Sequence, residues 1–140
     1  MYDLYYVLDA SAFINGFELQ NPNNFTVSEI TEEVKDLKSR LVLNQAIEEE
    51  RIIIREPEIR FVQELDGIIA DSGDDLRLSG PDKKLLALAL DLADSGYNVK
   101  VMTDDYSMQN VLKIIGIPYG SIITEGIKGV YNWTKTCEGC

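Results

Sequence analysis

The sequence predicts an α/β domain of three layers, a mostly parallel central sheet of four or five strands flanked by helices. Short apolar runs rich in β-branched and aromatic residues alternate with stretches whose apolar residues recur at helical intervals. Alternation of that kind lays strands side by side, joined by right-handed crossovers through helices. With 140 residues, 45% of them hydrophobic, the chain has room for one domain with a real core and not for two.

Leu4 to Leu8 is an apolar run ending at Asp9, the pattern of a buried strand entering a loop. An Asn/Pro-rich turn around Asn21 to Asn24 follows. Thr26 and Glu29 then have capping-box spacing, and Val27, Ile30, Val34 and Leu37 recur at helical intervals, which predicts a helix carrying Glu32 and Glu33. Leu41, Leu43, Ala46 and Ile47 predict a second helix, and Arg51 to Glu56 a strand stopped by Pro57. From Glu58, the positions Ile59, Phe61, Val62, Leu65, Ile68 and Ile69 make another amphipathic helix, ahead of a polar loop from Asp71 to Gly80. Ser79-Gly80-Pro81-Asp82 supplies a cap, a proline for the first helical position and an acid for the first turn, before the apolar positions Leu85, Leu86, Leu88, Ala89 and Leu92. Gly96 ends that helix. Val99 to Met102 is a strand running into Thr103-Asp104-Asp105, Met108, Val111, Leu112 and Ile115 define a short helix closed by Gly116, and Ile117 to Ile123 supplies a last strand. The domain is expected to span residues 1–125, with residues 126–140 holding a linker, Gly126 to Thr136, that leads to Cys137 and Cys140.

Composition removes many chemistries. The chain has no histidine, which excludes imidazole acid/base catalysis, Ser-His-Asp and Cys-His systems, and His-ligated zinc of the His-Glu-x-x-His kind. Two cysteines near one end make no disulfide framework and fit a reducing compartment. Apolar runs fall well short of the roughly eighteen residues a membrane span needs, and Met-Tyr-Asp-Leu is no basic, apolar leader, so a soluble, cytoplasmic protein is expected. A net charge of −11 argues against a polyanionic partner, since phosphate binding draws affinity from Lys and Arg. That argument weakens where carboxylates collect divalent cations, each of which adds two positive charges at the place a phosphate must sit.

The acids fall in a pattern. Asp9 ends the first strand, Asp104 and Asp105 end a later one, and Asp82 opens the helix that runs antiparallel into that later strand. All four belong to one edge of a parallel sheet, where ligands gather at the strands' carboxyl ends, provided the two strands are neighbours. Glu33, about two turns into its helix if Thr26 is the cap, has the length to reach the same cleft. Carboxylates held within about 5 Å of one another repel by several kcal/mol at intermediate dielectric unless protons or cations intervene. Mg2+ or Mn2+ with oxygen ligands resolves the conflict. Taken singly, each acid has a plainer reading: Asp9 as the cap of a helix starting at Ala10, Asp82 as a complement to a helix dipole, Glu32 and Glu33 as a solvated face, Asp104-Asp105 as a turn.

Asp9 with Ser11, Glu33-Val34, Asp82 leading Leu85-Leu86-Ala87-Leu88-Ala89, and Thr103-Asp104-Asp105 together resemble a PIN domain. Val34-Lys35-Asp36, the run Thr103 to Asn110, and Gly126-Ile127-Lys128 through Trp133 to Cys137-Glu138-Gly139-Cys140 resemble the Nob-type endonucleases. Those enzymes mature the 3′ end of small-subunit ribosomal RNA and carry a zinc ribbon after the PIN domain. The resemblance implies a PIN-like three-layer fold and a divalent-metal-dependent endoribonuclease acting on precursor small-subunit rRNA within a pre-ribosomal particle. It makes Asp9, Glu33, Asp82 and one or both of Asp104 and Asp105 the catalytic Mg2+/Mn2+ ligands, and Ser11, Thr103 and Asn110 the hydroxyls and amide that support them or contact phosphate. Cys137 and Cys140 become half of a Zn2+ site that needs a second Cys-x-x-Cys. The sequence stops at Cys140, so a chain cut from a longer protein is expected.

Hydrolysis by a metal-activated water needs no protein nucleophile and leaves a 5′-phosphate and a 3′-hydroxyl. Lys83, Lys84 and Lys128 are candidate RNA contacts, or ordinary solvated lysines. Two other readings share the pattern: a toxin-type PIN ribonuclease cutting mRNA or tRNA without a zinc ribbon, and a noncatalytic PIN-like module binding RNA or protein. A phosphotransferase with a strand-end aspartate nucleophile is disfavoured, because Asp9-Ala10-Ser11 lacks a second acid, and no phosphate-binding glycine loop is present.

Overall fold

The computed structural model describes residues 4–14, 23–72 and 78–122. Among the described residues five strands and six helices follow one another: β1 (Leu4–Leu8), α1 (Ala10–Ile14), β2 (Asn24–Thr26), α2 (Ser28–Glu32), α3 (Leu37–Glu48), β3 (Ile53–Ile54), α4 (Ile59–Ser72), α5 (Gly80–Asp94), β4 (Asn98–Met102), α6 (Tyr106–Ile115) and β5 (Tyr119–Gly120). All strand pairs are parallel, in the order β3-β2-β1-β4-β5. The expected α/β architecture and parallel sheet are therefore present.

Strand β1 lies at the centre, paired to β4 along its whole length from Leu4 opposite Asn98 to Leu8 opposite Met102. The chain lays β2 and β3 on one side of β1, then crosses to lay β4 and β5 on the other. That reversal makes the carboxyl edge between β1 and β4 a topological switch point, the place where such sheets leave a crevice. Helix α5 packs on β1, β4, α4 and α6, while α1 packs on α3. Because it is covered by sheet on one side and helices on others, α5 buries Leu85, Leu86, Ala87, Leu88, Ala89 and Leu92 completely, more than a single apolar stripe. Among the described residues no helix is long and apolar enough to cross a membrane.

Local signals placed most element ends. Ser79 caps α5 by accepting from the Asp82 N–H at 3.2 Å, and Pro81 occupies the first turn. Gly116 closes α6 at φ 77°, a left-handed conformation that a side chain disfavours. One expected cap is corrected. Thr26 does not start a helix: it ends β2, and its hydroxyl donates to the Leu8 carbonyl at 2.9 Å. Val27 takes the cap position of α2 without any side-chain hydrogen bond. The helical spacing continued to Leu37, but α2 stops at Glu32 and Asp36 caps a new helix by accepting from the Ser39 N–H at 3.0 Å. A three-residue strand is too short for alternation to show, so the capping pattern around it prevailed in sequence. The strands expected from Arg51 and from Ile117 shrink to Ile53–Ile54 and Tyr119–Gly120 at the sheet edges.

Replacing Thr26 by valine keeps the shape and removes the donor from a buried carbonyl. Stability should fall by about 1–2 kcal/mol, read as a lower denaturant midpoint at unchanged slope; an unchanged midpoint would show that the bond contributes nothing.

Candidate metal centre

Asp9 leaves β1 at the switch point. Its N–H extends the β1–β4 pairing by donating to the Met102 carbonyl at 3.2 Å, and its own carbonyl accepts from Ala12 at 2.9 Å as α1 begins. The carboxylate is buried and held at both oxygens: Oδ1 accepts from the Ala10 N–H at 2.8 Å, Oδ2 from the Thr103 hydroxyl at 2.8 Å. Ser11 Oγ lies 3.5 Å from Oδ2, at the limit of a hydrogen bond. The sequence offered Asp9 as either the cap of a helix starting at Ala10 or a site acid; its side chain accepts from the first helical N–H, that of Ala10, and lies beside two other acids.

Asp82, half-buried in the first turn of α5, and Glu33, exposed at the end of α2, join Asp9. Carboxylate oxygens of these three residues lie within 4.8 Å of one another, a spacing that suits one metal ion. The electrostatics agree. Burial pushes the Asp9 carboxyl above its ordinary range, against the Thr103 and Ala10 hydrogen bonds, and Asp82 and Asp105 raise it further. Glu33 is raised by partial desolvation and then by Asp82 and Asp9, with Lys35 opposing. Asp82 is raised by desolvation and by Asp105, while Ser79 pulls it down. Three hard oxygen donors that resist joint ionisation fit a hard divalent cation with oxygen preference.

Asp104 and Asp105 part company. Asp105 stays close enough to bear on Asp9 and Asp82, and caps α6 through Oδ1, which accepts from Ser107 at 2.8 Å and from Met108 at 3.4 Å. Asp104 Oδ1 instead accepts from Ser121 Oγ at 2.5 Å and from the Ile122 N–H at 2.9 Å, tying the segment after β5 to the β4–α6 turn. Thr103 is the hub of that turn: fully buried, it donates to Asp9 and accepts from the Asp105 N–H at 3.0 Å. Asn110, expected to orient the turn, is exposed on α6. The neighbouring Gln109 does so, its Nε2 donating to the Thr103 carbonyl at 2.9 Å. One signal for it existed, a polar residue one helical turn beyond Asp105, on the side that faces back to the cap.

The candidate RNA contacts Lys83 and Lys84 are engaged with carboxylates, Lys83 with Asp66 at 3.5 Å and Lys84 with Glu29 at 3.2 Å and Glu56 at 3.5 Å. Lys128, Cys137 and Cys140 lie outside the described residues.

Residues 6–92 match the sequence pattern of a family described as the PIN domain of ribonuclease. The chain is 43% identical over 134 residues to Endoribonuclease Nob1 of Methanothermobacter thermautotrophicus, covering 96% of this chain and 78% of that protein. It is 33% identical, with the same coverage, to Endoribonuclease Nob1 of Pyrococcus abyssi. It is also 38% identical over 112 residues to Ribonuclease VapC3 of Aeropyrum pernix, covering 79% of this chain and 81% of that protein.

With all three carboxyls raised, the folded chain binds more protons than the unfolded chain between the ordinary carboxylate range and the raised values. Without divalent cation, the cluster's contribution to stability therefore falls as pH climbs through that window. Saturating Mn2+ at neutral pH should raise the melting temperature, by about 5–10 °C at a hundredfold excess over Kd. Glu33→Gln should melt no lower than the parent in chelator and gain less from Mn2+. Equal gains for the two proteins would place the ion elsewhere.

Proposed function

The chain belongs to the PIN-domain ribonuclease family, and on that premise we propose that it is a metal-dependent endoribonuclease that trims precursor small-subunit rRNA at its 3′ end during ribosome maturation. The observation that carries the proposal is the convergence of Asp9, Glu33 and Asp82 within 4.8 Å at the sheet's switch point. The repeated identity to proteins named Endoribonuclease Nob1 supports the choice of RNA.

Asp9, Glu33 and Asp82 would hold Mg2+ or Mn2+, with Asp105 the better placed of the two adjacent acids because its charge already bears on Asp9 and Asp82. A divalent ion in that position supplies the positive charge that polarises the scissile phosphate and acidifies the attacking water. The chain's own residues do the positioning. Thr103 and the Ala10 N–H fix both oxygens of Asp9, so the carboxylate presents one orientation. Asp104, held by Ser121 and Ile122, serves by keeping the β4–α6 turn and the end of β5 together. Lys83 and Lys84 meet RNA only in exchange for Asp66, Glu29 and Glu56, so they contribute modestly. Residues 1–125 form the nuclease domain in this reading, and Cys137 and Cys140 are half of a zinc ribbon joined through Lys128 and its neighbours.

A second reading rests on the 38% identity to Ribonuclease VapC3: a ribonuclease of the toxin type, acting on mRNA or tRNA. Precursor rRNA spanning the 3′ processing site, a tRNA and an mRNA, each offered with Mn2+, separate the two.

Cleavage is expected at the rRNA 3′ site, leaving a 5′-phosphate on the released spacer and a 3′-hydroxyl; a 2′,3′-cyclic phosphate would overturn the hydrolytic mechanism. Chelator should abolish it, and Asp9→Asn should lower the rate on the order of a hundredfold or more, with Thr103→Val at about tenfold to a hundredfold. Survival of full activity in chelator and in Asp9→Asn would end the proposal.

A further inference from the structure

We infer that Arg40 is a positioning residue for the metal centre, clamping the backbone on both sides of Glu33 and so setting that carboxylate toward Asp9 and Asp82. The inference rests on the metal-centre reading above and deepens it.

The three carboxylates are anchored unequally. Asp9 ends the central strand and has both oxygens bonded, and Asp82 sits in the first turn of the fifteen-residue α5. Glu33 follows α2, a helix of five residues without a side-chain cap. So short a helix has little stability of its own, and its last carbonyls lack helical partners. Something outside α2 must therefore fix where Glu33 points.

Arg40 supplies that restraint from the first turns of α3. Its Nη1 donates to the Thr31 carbonyl at 2.6 Å and lies 3.5 Å from the Val34 carbonyl, within reach of both residues that bracket Glu33. Arg40 is half-buried and itself set by the Asp36 carbonyl, which accepts its N–H at 2.9 Å. Val34, buried in the core, and the Glu33 N–H, bonded to Ile30 at 3.0 Å, complete the grip. The charges that bear on the Glu33 carboxyl come from Asp82, Asp9 and Lys35. Arg40 thus works through main-chain geometry. A guanidinium suits the task because its donors are forked, permanently charged and favourable at a helix carboxyl end.

The test is Mn2+ titration of the folded full chain by calorimetry, with no RNA present. Arg40→Met keeps the aliphatic stem and removes the donors; it should weaken Mn2+ binding about tenfold. Glu33→Gln should weaken it at least as much, and the double variant no more than Glu33→Gln alone, because Arg40 acts only through Glu33. A purely structural role would leave the Mn2+ affinity of the folded fraction unchanged, or add its loss to that of Glu33→Gln; either result overturns the inference. If Arg40→Met does not fold, Arg40→Lys, with its charge and a reduced set of donors, carries the test and should show a smaller, Glu33-dependent loss. Parent protein that binds no Mn2+ would overturn the metal centre itself and this inference with it, whereas Glu33-dependent binding indifferent to Arg40 overturns this inference alone.

Discussion

Three carboxylates whose oxygens lie within 4.8 Å of one another, one of them buried, repel when ionised, and the rest of the site is arranged around that repulsion. At an effective dielectric of about 20, each close pair costs about 3 kcal/mol, less for the solvent-screened Glu33. The fold opposes this with backbone constraints. Asp9 is fixed by the β1–β4 register and by two hydrogen bonds, and Asp82 by the capped start of α5. Proton uptake and cation binding are the two ways to relieve the repulsion, and burial together with the neighbouring acids pushes all three carboxyls above their ordinary range.

The β4–α6 turn divides labour between adjacent acids. Asp105 faces the cluster and starts a helix; Asp104 faces the end of β5 and fastens it. Thr103 couples the two tasks, since its one hydroxyl donates across the sheet to Asp9 and accepts from the Asp105 N–H. Two strands distant in sequence thereby share one rigid corner, with Gln109 closing it from α6.

Acidity and an RNA-directed chemistry coexist because position outweighs net charge. The total of −11 includes the cluster's own acids, whose charge a divalent cation, once bound, would offset locally. Lys83 and Lys84 pair with Asp66 and Glu29, and among the lysines it is Lys35 whose charge bears on a cluster acid, Glu33.

Much was legible in the sequence because it is written in short-range patterns. The strand ending at Asp9, the Ser79 cap and Pro81 of α5, and the glycine after α6 each depend on a few adjacent residues, and the absence of histidine excluded imidazole chemistry. Thr26 misled, since a three-residue strand shows no alternation and its hydroxyl serves the Leu8 carbonyl eighteen positions back. Sequence order left Asp104 and Asp105 equivalent; the hydrogen bonds of Ser121 and Ile122 to the first, and the electrostatic influence of the second on Asp9 and Asp82, separate them. Tertiary structure alone set Thr103 against Asp9 across 94 positions and Arg40 against the carbonyls around Glu33. Such contacts follow from strand register and side-chain direction, which exist only once the sheet has assembled.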